Sequence, residues 1–185
     1  AKRIHAYIQS LEYVPEDLNG LEYLLSDTYY CNFSIFQSLP DAWAIGHLFP
    51  IMPIHRLNEA PNKQGVLADL TCDSDGKLDR FIELRERETN TLSLHSPGEE
   101  PYYLGAFLVG AYQETLGDLH NLFGDTNAVH VNIREDGSYA LDHIVYGDTV
   151  SQVLSYVEYD CHELLQKTWK AAEMAVERGQ LTLEE

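Results

Sequence analysis

The sequence has little positive charge and no long apolar run. Its 185 residues include 12 lysines and arginines against 30 aspartates and glutamates, which gives a formal net charge of -18. Such a surface repels phosphate backbones, so the composition argues against a nucleic-acid partner and suits a cationic ligand. No stretch approaches the roughly 18 apolar residues that a membrane-spanning helix requires, and we therefore expect no membrane partner.

Cysteine is also scarce, and its spacing excludes two common structural uses. Cys31, Cys72 and Cys161 form no Cys-x-x-Cys pair, so neither a disulfide framework nor a zinc site is expected. This usage indicates a reducing compartment, and no secretory signal is visible, so we expect a cytoplasmic location. The opening residues, Ala-Lys-Arg-Ile-His, are typical of a helix already in progress, which predicts that the chain is an internal part of a longer protein.

What remains is enough apolar sequence for a folded domain. Hydrophobic residues make up 44% of the chain and the mean hydropathy is -0.29, values typical of a globular protein. Several short apolar runs are separated by Gly, Pro and Asp turns, and helical periodicity is strongest at the two ends. The repeated strand-helix alternation of an eight-fold α/β barrel is missing. We therefore predict a mainly β fold, a β-barrel or sandwich with flanking helices.

The pattern divides the chain into three parts: a helical segment over 1–27, a β-barrel domain over 28–160, and a C-terminal helix and tail over 161–185. Within the barrel domain, the aromatic residues 29–36 are strand-like and 65–70 predict a buried strand. The remaining predicted elements are short strands at 81–84, 91–94 and 102–109, a short helix within 111–123, a hairpin of 129–133 with 138–141, and a final helix over 161–178.

A cysteine and three carboxylates stand at the end of the predicted buried strand. Residues 68–76 read Ala-Asp-Leu-Thr-Cys-Asp-Ser-Asp-Gly. A lone cysteine is most often a small packed hydrophobe, but three carboxylates around one thiol are electrostatically unfavourable. Because Asp75-Gly76 already provides the elements of a turn, Asp73 has no obvious structural use. A bound cation is the simplest reason for its presence.

A second apolar run brings a tyrosine beside a glycine, in the stretch Val109-Gly110-Ala111-Tyr112-Gln113. From the residues alone, Tyr112 is equally well explained as a core aromatic whose hydroxyl bonds to the backbone. Four nearby side chains offer oxygen or nitrogen ligands, but their spacing fits no compact helical pair and we predict no metal site. They are Asp118, His120, Asp125 and His130.

Both stretches resemble segments of the pyridoxal-phosphate-dependent basic amino acid decarboxylases. Thr-Cys-Asp-Ser-Asp-Gly at 71–76 is similar to the cysteine-and-aspartate loop of the arginine-specific, biosynthetic branch, and 110–112 resembles its Gly-Ala-Tyr segment. Gln113-Glu114 and the stretch His-Asn-Leu-Phe-Gly-Asp at 120–125 are also similar to that branch. The resemblance spans about residues 28–160.

The resemblance implies a role for each candidate residue. Cys72 would protonate the carbanion left by the loss of carbon dioxide, a role that suits a thiol kept neutral by neighbouring acids. Asp73 would bind the distal guanidinium through two parallel hydrogen bonds. Asp75 is a further candidate for substrate binding, and His120 a candidate wall of the substrate pocket. The hydroxyl of Tyr112 would donate to the cofactor phosphate.

The resemblance also implies that the chain is the C-terminal part of an enzyme that converts arginine to agmatine and carbon dioxide in polyamine and spermidine biosynthesis. The lysine and glycine-rich loop that hold pyridoxal 5'-phosphate belong to an upstream α/β barrel in the family, and none of the five lysines here has that lysine's strand context. We expect the absent N-terminal barrel to bind most of the cofactor and to complete a shared site in a homodimer or higher oligomer. The chain alone should be inactive. Mg²⁺ is a further cofactor that the resemblance allows.

Two other functions remain open at this point. The chain could be a catalytically inactive relative that binds and regulates such an enzyme, or an unrelated β-barrel module for a small cation in which the motif is a coincidence. The fold alone does not separate these functions. Activity on arginine does.

Overall fold

The computed structural model describes residues 4, 7, 8, 18, 20–83 and 87–182. The contacts divide the chain into two compact units, Ala1–Asn121 and Leu122–Glu185, and each is described below by itself. The predicted division at residues 27 and 160 stays a prediction. The helix expected at the start of the chain lies mostly outside the described residues.

A four-stranded mixed sheet forms the centre of the first unit. Strand β3 (Lys63–Ala68) pairs in parallel with β1 (Asp27–Tyr30) and antiparallel with both β4 (Lys77–Leu78) and β7 (Leu92–Leu94). The middle of β3 is buried, as expected for a continuous apolar run with neighbours on both sides. This confirms the buried strand predicted at 65–70, although the strand ends two residues earlier.

Two smaller antiparallel sheets complete the strands of this unit. Strand β2 (Ile51–Pro53) pairs with β8 (Leu104–Ala106), and β5 (Phe81–Glu83) pairs with β6 (Arg87–Thr89). The apolar run at 102–109 thus forms a strand of only three residues. Within the described ranges the sheets do not join into a closed barrel. The fold is one of mixed sheets with few helices.

Four short helices have their bounds among the described residues of the first unit: α1 (Leu21–Leu24), α2 (Ile35–Ser38), α3 (Pro40–Ala44) and α4 (Ala111–Leu116). The prediction of extended structure through residue 36 is wrong, because Ser34 caps α2 by accepting a hydrogen bond from the backbone N–H of Gln37 at 3.3 Å. The predicted short helix within 111–123 is confirmed as α4. The core packs α2 against the sheet, and its buried members are Ile35, Leu39, Phe49, Leu67, Leu78, Phe81 and Leu94.

The described residues of the second unit, 122–182, form a hairpin and two helices. Strands β9 (Ala128–Ile133) and β10 (Tyr139–Val145) pair antiparallel, which confirms the predicted hairpin. A capping box of Thr149 begins α5 (Val150–Tyr156), and Asp160 caps α6 (Cys161–Glu177). The predicted final helix is therefore confirmed. No helix among the described residues is long and apolar enough to cross a membrane.

Candidate functional site

The loop that follows β3 is organised by the carboxylate of Asp69, a side chain that is only 5% exposed. Its Oδ2 accepts a hydrogen bond from the backbone N–H of Ile35 at 2.9 Å, and its Oδ1 accepts from the N–H and hydroxyl of Thr71 at 3.0 and 2.8 Å. The backbone N–H of Asp69 donates to the carbonyl of Gly76 at 2.8 Å, which closes the loop. Asp69 thereby ties the candidate loop to the first residue of α2.

Gly76 is required at the end of this loop by the space available there. A Cβ at this position would lie 2.6 Å from Cγ of Asp69 and 2.7 Å from the hydroxyl oxygen of Thr71, so any side chain would displace the buried carboxylate. In the sequence, Asp69 stands out only as one of three carboxylates near Cys72. Its position directly after the buried strand was the one available signal of a structural role.

Asp73 and Asp75 are both exposed on the tip of the loop. Oδ1 of Asp73 accepts a hydrogen bond from the backbone N–H of Asp75 at 3.0 Å, and the carbonyl of Asp73 accepts from Gly76 N–H at 3.2 Å. Asp73 therefore helps to form the turn itself, and the argument that it lacks a structural use is wrong. In the described part of the chain its Oδ2 makes no hydrogen bond, so one carboxylate oxygen can still face a ligand.

The thiol of Cys72 is exposed and reduced, and it receives one hydrogen bond. Nδ2 of Asn121 donates to Sγ across 3.4 Å, a contact that joins the loop to the segment following α4. Asn121 has φ +51°, a left-handed conformation that asparagine adopts more readily than most residues. Sequence reasoning did not single out Asn121, because nothing local links it to a residue 49 positions earlier.

His120 lies beside this contact. Its ring packs against Phe36 of α2 with centroids 4.4 Å apart and an angle of 37° between the planes. Its Nε2 is buried and has no hydrogen-bond partner within the described ranges. The hydrogen bond from Asn121 thus joins the loop of Cys72, Asp73 and Asp75 to the segment that carries His120, while no described contact joins His120 to the loop itself.

Tyr112 occupies the first turn of α4, and 75% of its side chain is exposed. The alternative of a core aromatic is therefore wrong. Its neighbour Gln113 is the buried residue of this helix: Oε1 accepts from Asp41 N–H at 3.1 Å and Nε2 donates to Oδ2 of Asp41 at 2.5 Å. Helix α4 packs against α2 and α3. No described contact joins Tyr112 to Cys72 directly.

The described side chains can be tested against a metal and a cofactor. Nowhere in the described ranges do three His, Cys, Asp or Glu side chains come together as a metal site. The exposed hydroxyl of Tyr112 fits a phosphate group as a neutral donor. Lys63 and Lys77 are engaged with Asp27 and Asp79 at 2.7 Å, so neither is an unpaired amine for a cofactor.

A cavity of the first unit lies away from the candidate residues. It has a volume of about 1200 Å³ and is lined mainly by residues of β1 and β8 with the loops beside them, and neither Cys72 nor Tyr112 contributes to its wall. Cys72 and Tyr112 are both exposed, so the thiol and the phenol lie on the surface of the part of the chain that the structure describes.

Comparison with known proteins gives consistent results. No family model matches the chain. The biosynthetic arginine decarboxylase of Gloeobacter violaceus is 54% identical over 189 residues, covering 100% of this chain and 29% of that protein. The enzyme of that name from Thermosynechococcus vestitus is 57% identical over 176 residues, covering 94% of this chain and 27% of that protein.

A solved structure extends the comparison to three dimensions. The biosynthetic arginine decarboxylase SpeA from Campylobacter jejuni superposes with a TM-score of 0.63 at 40% identity, covering 76% of this chain and 23% of that one. The chain thus spans less than a third of the length of the curated relatives it matches. It is related over its whole length to the C-terminal portion of the biosynthetic arginine decarboxylases.

Proposed function

We propose that this chain is the C-terminal part of a pyridoxal-phosphate-dependent arginine decarboxylase, which forms agmatine and carbon dioxide from arginine for polyamine biosynthesis. The observation that carries the proposal is the 54% identity over the full chain to proteins of that name. It is supported by an exposed thiol that stands next to exposed carboxylates on one loop. A thiol can donate a proton to carbon, and a carboxylate can bind a guanidinium group.

The reaction removes the substrate carboxylate as carbon dioxide and leaves its electron pair on the α-carbon, which then takes up one proton. Pyridoxal phosphate, when bound, supplies the electron sink for this step. Cys72 donates the proton from its thiol. The thiol is exposed among the described residues, so an incoming substrate can reach the sulfur.

Substrate selection is assigned to the carboxylates of the same loop. Oδ2 of Asp73 accepts from the guanidinium, while Oδ1 keeps its hydrogen bond to the backbone of Asp75. That bond fixes the carboxylate plane, so the substrate need not order it. Asp75 adds negative charge beside it, and His120 forms a flat wall against Phe36.

The cofactor phosphate is assigned to Tyr112. Its phenol is an uncharged donor on the exposed side of α4, and the buried pair of Gln113 with Asp41 holds that helix in place. The lysine and the rest of the cofactor site come from an N-terminal α/β-barrel portion outside this chain. We propose that the complete protein is a homodimer or higher oligomer with shared sites in the cytoplasm, and that the β-rich region closes into a barrel there.

Turnover of arginine tests the proposal. The complete protein, loaded with pyridoxal phosphate, should form agmatine and carbon dioxide, whereas the 185-residue chain alone should form neither because it lacks the lysine-bearing portion. Agmatine formation by the isolated chain would contradict the division of the site. A complete protein that binds pyridoxal phosphate but does not decarboxylate arginine would contradict the assigned activity and favour an inactive regulatory relative.

A further inference from the structure

We propose that Asn121 is a positioning residue for Cys72, holding the sulfur in place and stabilising the charge that remains after proton donation. The inference rests on the proposed function and adds a residue to it. Nδ2 of Asn121 lies 3.4 Å from Sγ, within the range of a hydrogen bond to sulfur. The backbone at Asn121 has φ +51°, so the chain adopts an uncommon conformation at the residue that makes this contact.

The direction of the hydrogen bond determines where the thiol proton can go. An amide nitrogen can only donate, so Sγ is the acceptor. The S–H bond must then point away from Asn121, and its proton is left for a substrate on the exposed side. Once that proton has moved, the sulfur is negatively charged and the same bond becomes charge-assisted and stronger. A bond that strengthens along the reaction lowers the barrier and does not merely bind the ground state.

The charges around the thiol explain why a neutral donor suits this position. Asp73 and Asp75 place two carboxylates on the same loop as the thiol, and both are exposed. A lysine in place of Asn121 would pair with the loop carboxylates and compete with the guanidinium. The amide of Asn121 offsets the repulsion between these carboxylates and a negatively charged sulfur, and it does not pair with the carboxylates.

The segments that carry Cys72 and Asn121 both contact helix α2. Asp69 connects the Cys72 loop to α2 through the N–H of Ile35. On the other side, a Cβ on Gly117 would overlap the carbonyl oxygen of Gln37 in α2, and the ring of His120 packs on Phe36 of the same helix. The distance between the sulfur and the amide is therefore set by one short rigid element.

Two replacements at Asn121 separate the amide donor from the backbone. Asn121→Asp keeps the shape and tolerates the left-handed conformation but cannot donate when ionised, and Asn121→Gly removes the side chain without backbone strain. Alkylation of Cys72 by iodoacetamide is followed across pH in the 185-residue chain by peptide mass. Exposed Cys161 serves as the internal control. A change in the access of iodoacetamide to Cys72 alters the alkylation rate on the high-pH plateau. Loss of the hydrogen-bond donor instead moves the midpoint of the pH profile.

We expect the midpoint for Cys72 to move to higher pH in both variants, with the profile of Cys161 unchanged. In the complete enzyme, kcat should fall about tenfold, the effect of losing one hydrogen bond of ordinary strength, with KM for arginine changed less than about twofold. An unchanged Cys72 profile in both variants would overturn the inference.

Cys72→Ala distinguishes this inference from the function on which it rests. If Cys72→Ala abolishes turnover while Asn121→Gly retains the parent kcat, the positioning role is refuted and the proposed function stands. If Cys72→Ala retains the parent kcat, the proton-donor assignment itself is refuted, whatever the alkylation profile shows.

Discussion

Replacing Asp69 by alanine should strongly destabilise the first unit. The change removes a buried acceptor of three hydrogen bonds, from the N–H of Ile35 and from the N–H and hydroxyl of Thr71. Hydrogen bonds to a charged acceptor contribute about 1.5–3 kcal/mol each. Thr71 is half-buried and its donors can turn to water, but the N–H of Ile35 stays buried. We therefore expect a loss of about 3–5 kcal/mol, a large share of the stability of an ordinary domain.

Urea unfolding followed by the fluorescence of Trp43 measures this loss. Trp43 contacts Phe36 of α2 edge to face at 5.2 Å, and a Trp169→Phe background removes the signal of the second unit. Asp73→Ala is the control within the same unit, because Oδ1 of Asp73 accepts a hydrogen bond from the backbone N–H of Asp75 on the exposed tip of the same loop. The control should have a much smaller effect. An Asp69→Ala loss no greater than that of the control would refute the structural role of the buried carboxylate.

The remaining predictions concern the same loop and its surroundings. Gly76→Ala should destabilise the first unit by several kcal/mol through steric overlap with the buried carboxylate. Gly98→Ala is the control, because a Cβ at Gly98 would have no atom within 4 Å and should not destabilise the unit. Urea unfolding of the two variants compares these effects. Asp73→Asn keeps the turn acceptor but removes the charge, so KM for arginine should rise about 10- to 100-fold with kcat nearly constant, and an unchanged KM would contradict the guanidinium role. Burial raises the pKa of Asp79. Hydrogen bonds from a lysine and a tyrosine lower the same pKa by more than burial raises it, so the net shift is downward. This group stabilises the fold above its unfolded pKa and loses that contribution as pH falls through the folded pKa, and Asp79→Asn should flatten the acid limb of stability against pH.

The elements that sequence patterns predicted correctly are those set by local signals. The hairpin of β9 and β10 follows from alternation around Asp-Gly, and α6 from its apolar face and the glycine that ends it. The parallel pairing of β1 with β3 was not predictable in this way, since it joins residues 38 positions apart, such as Asp27 and Gly65. The aromatic stretch after β1 was misassigned because the cap at Ser34 outweighs β propensity.

The candidate site shows the same limit. The loop of Cys72 and Asp73 could be identified from the sequence because its residues are contiguous and resemble a known family. The contacts of Asp69 and Asn121 could not be predicted in this way, since they join residues 34 and 49 positions apart. The exposure of Tyr112 also required the structure, because periodicity did not decide which face of α4 is buried.

The central claim is that the thiol of Cys72 completes a decarboxylation begun by groups outside this chain. The most direct test measures carbon dioxide and agmatine together in the complete enzyme carrying Cys72→Ala. The account predicts that kcat falls by roughly 10²–10⁴, the range for loss of a positioned proton donor, that KM changes little, and that less than one agmatine forms per carbon dioxide released. A Cys72→Ala enzyme with the parent kcat and one agmatine per carbon dioxide would contradict it.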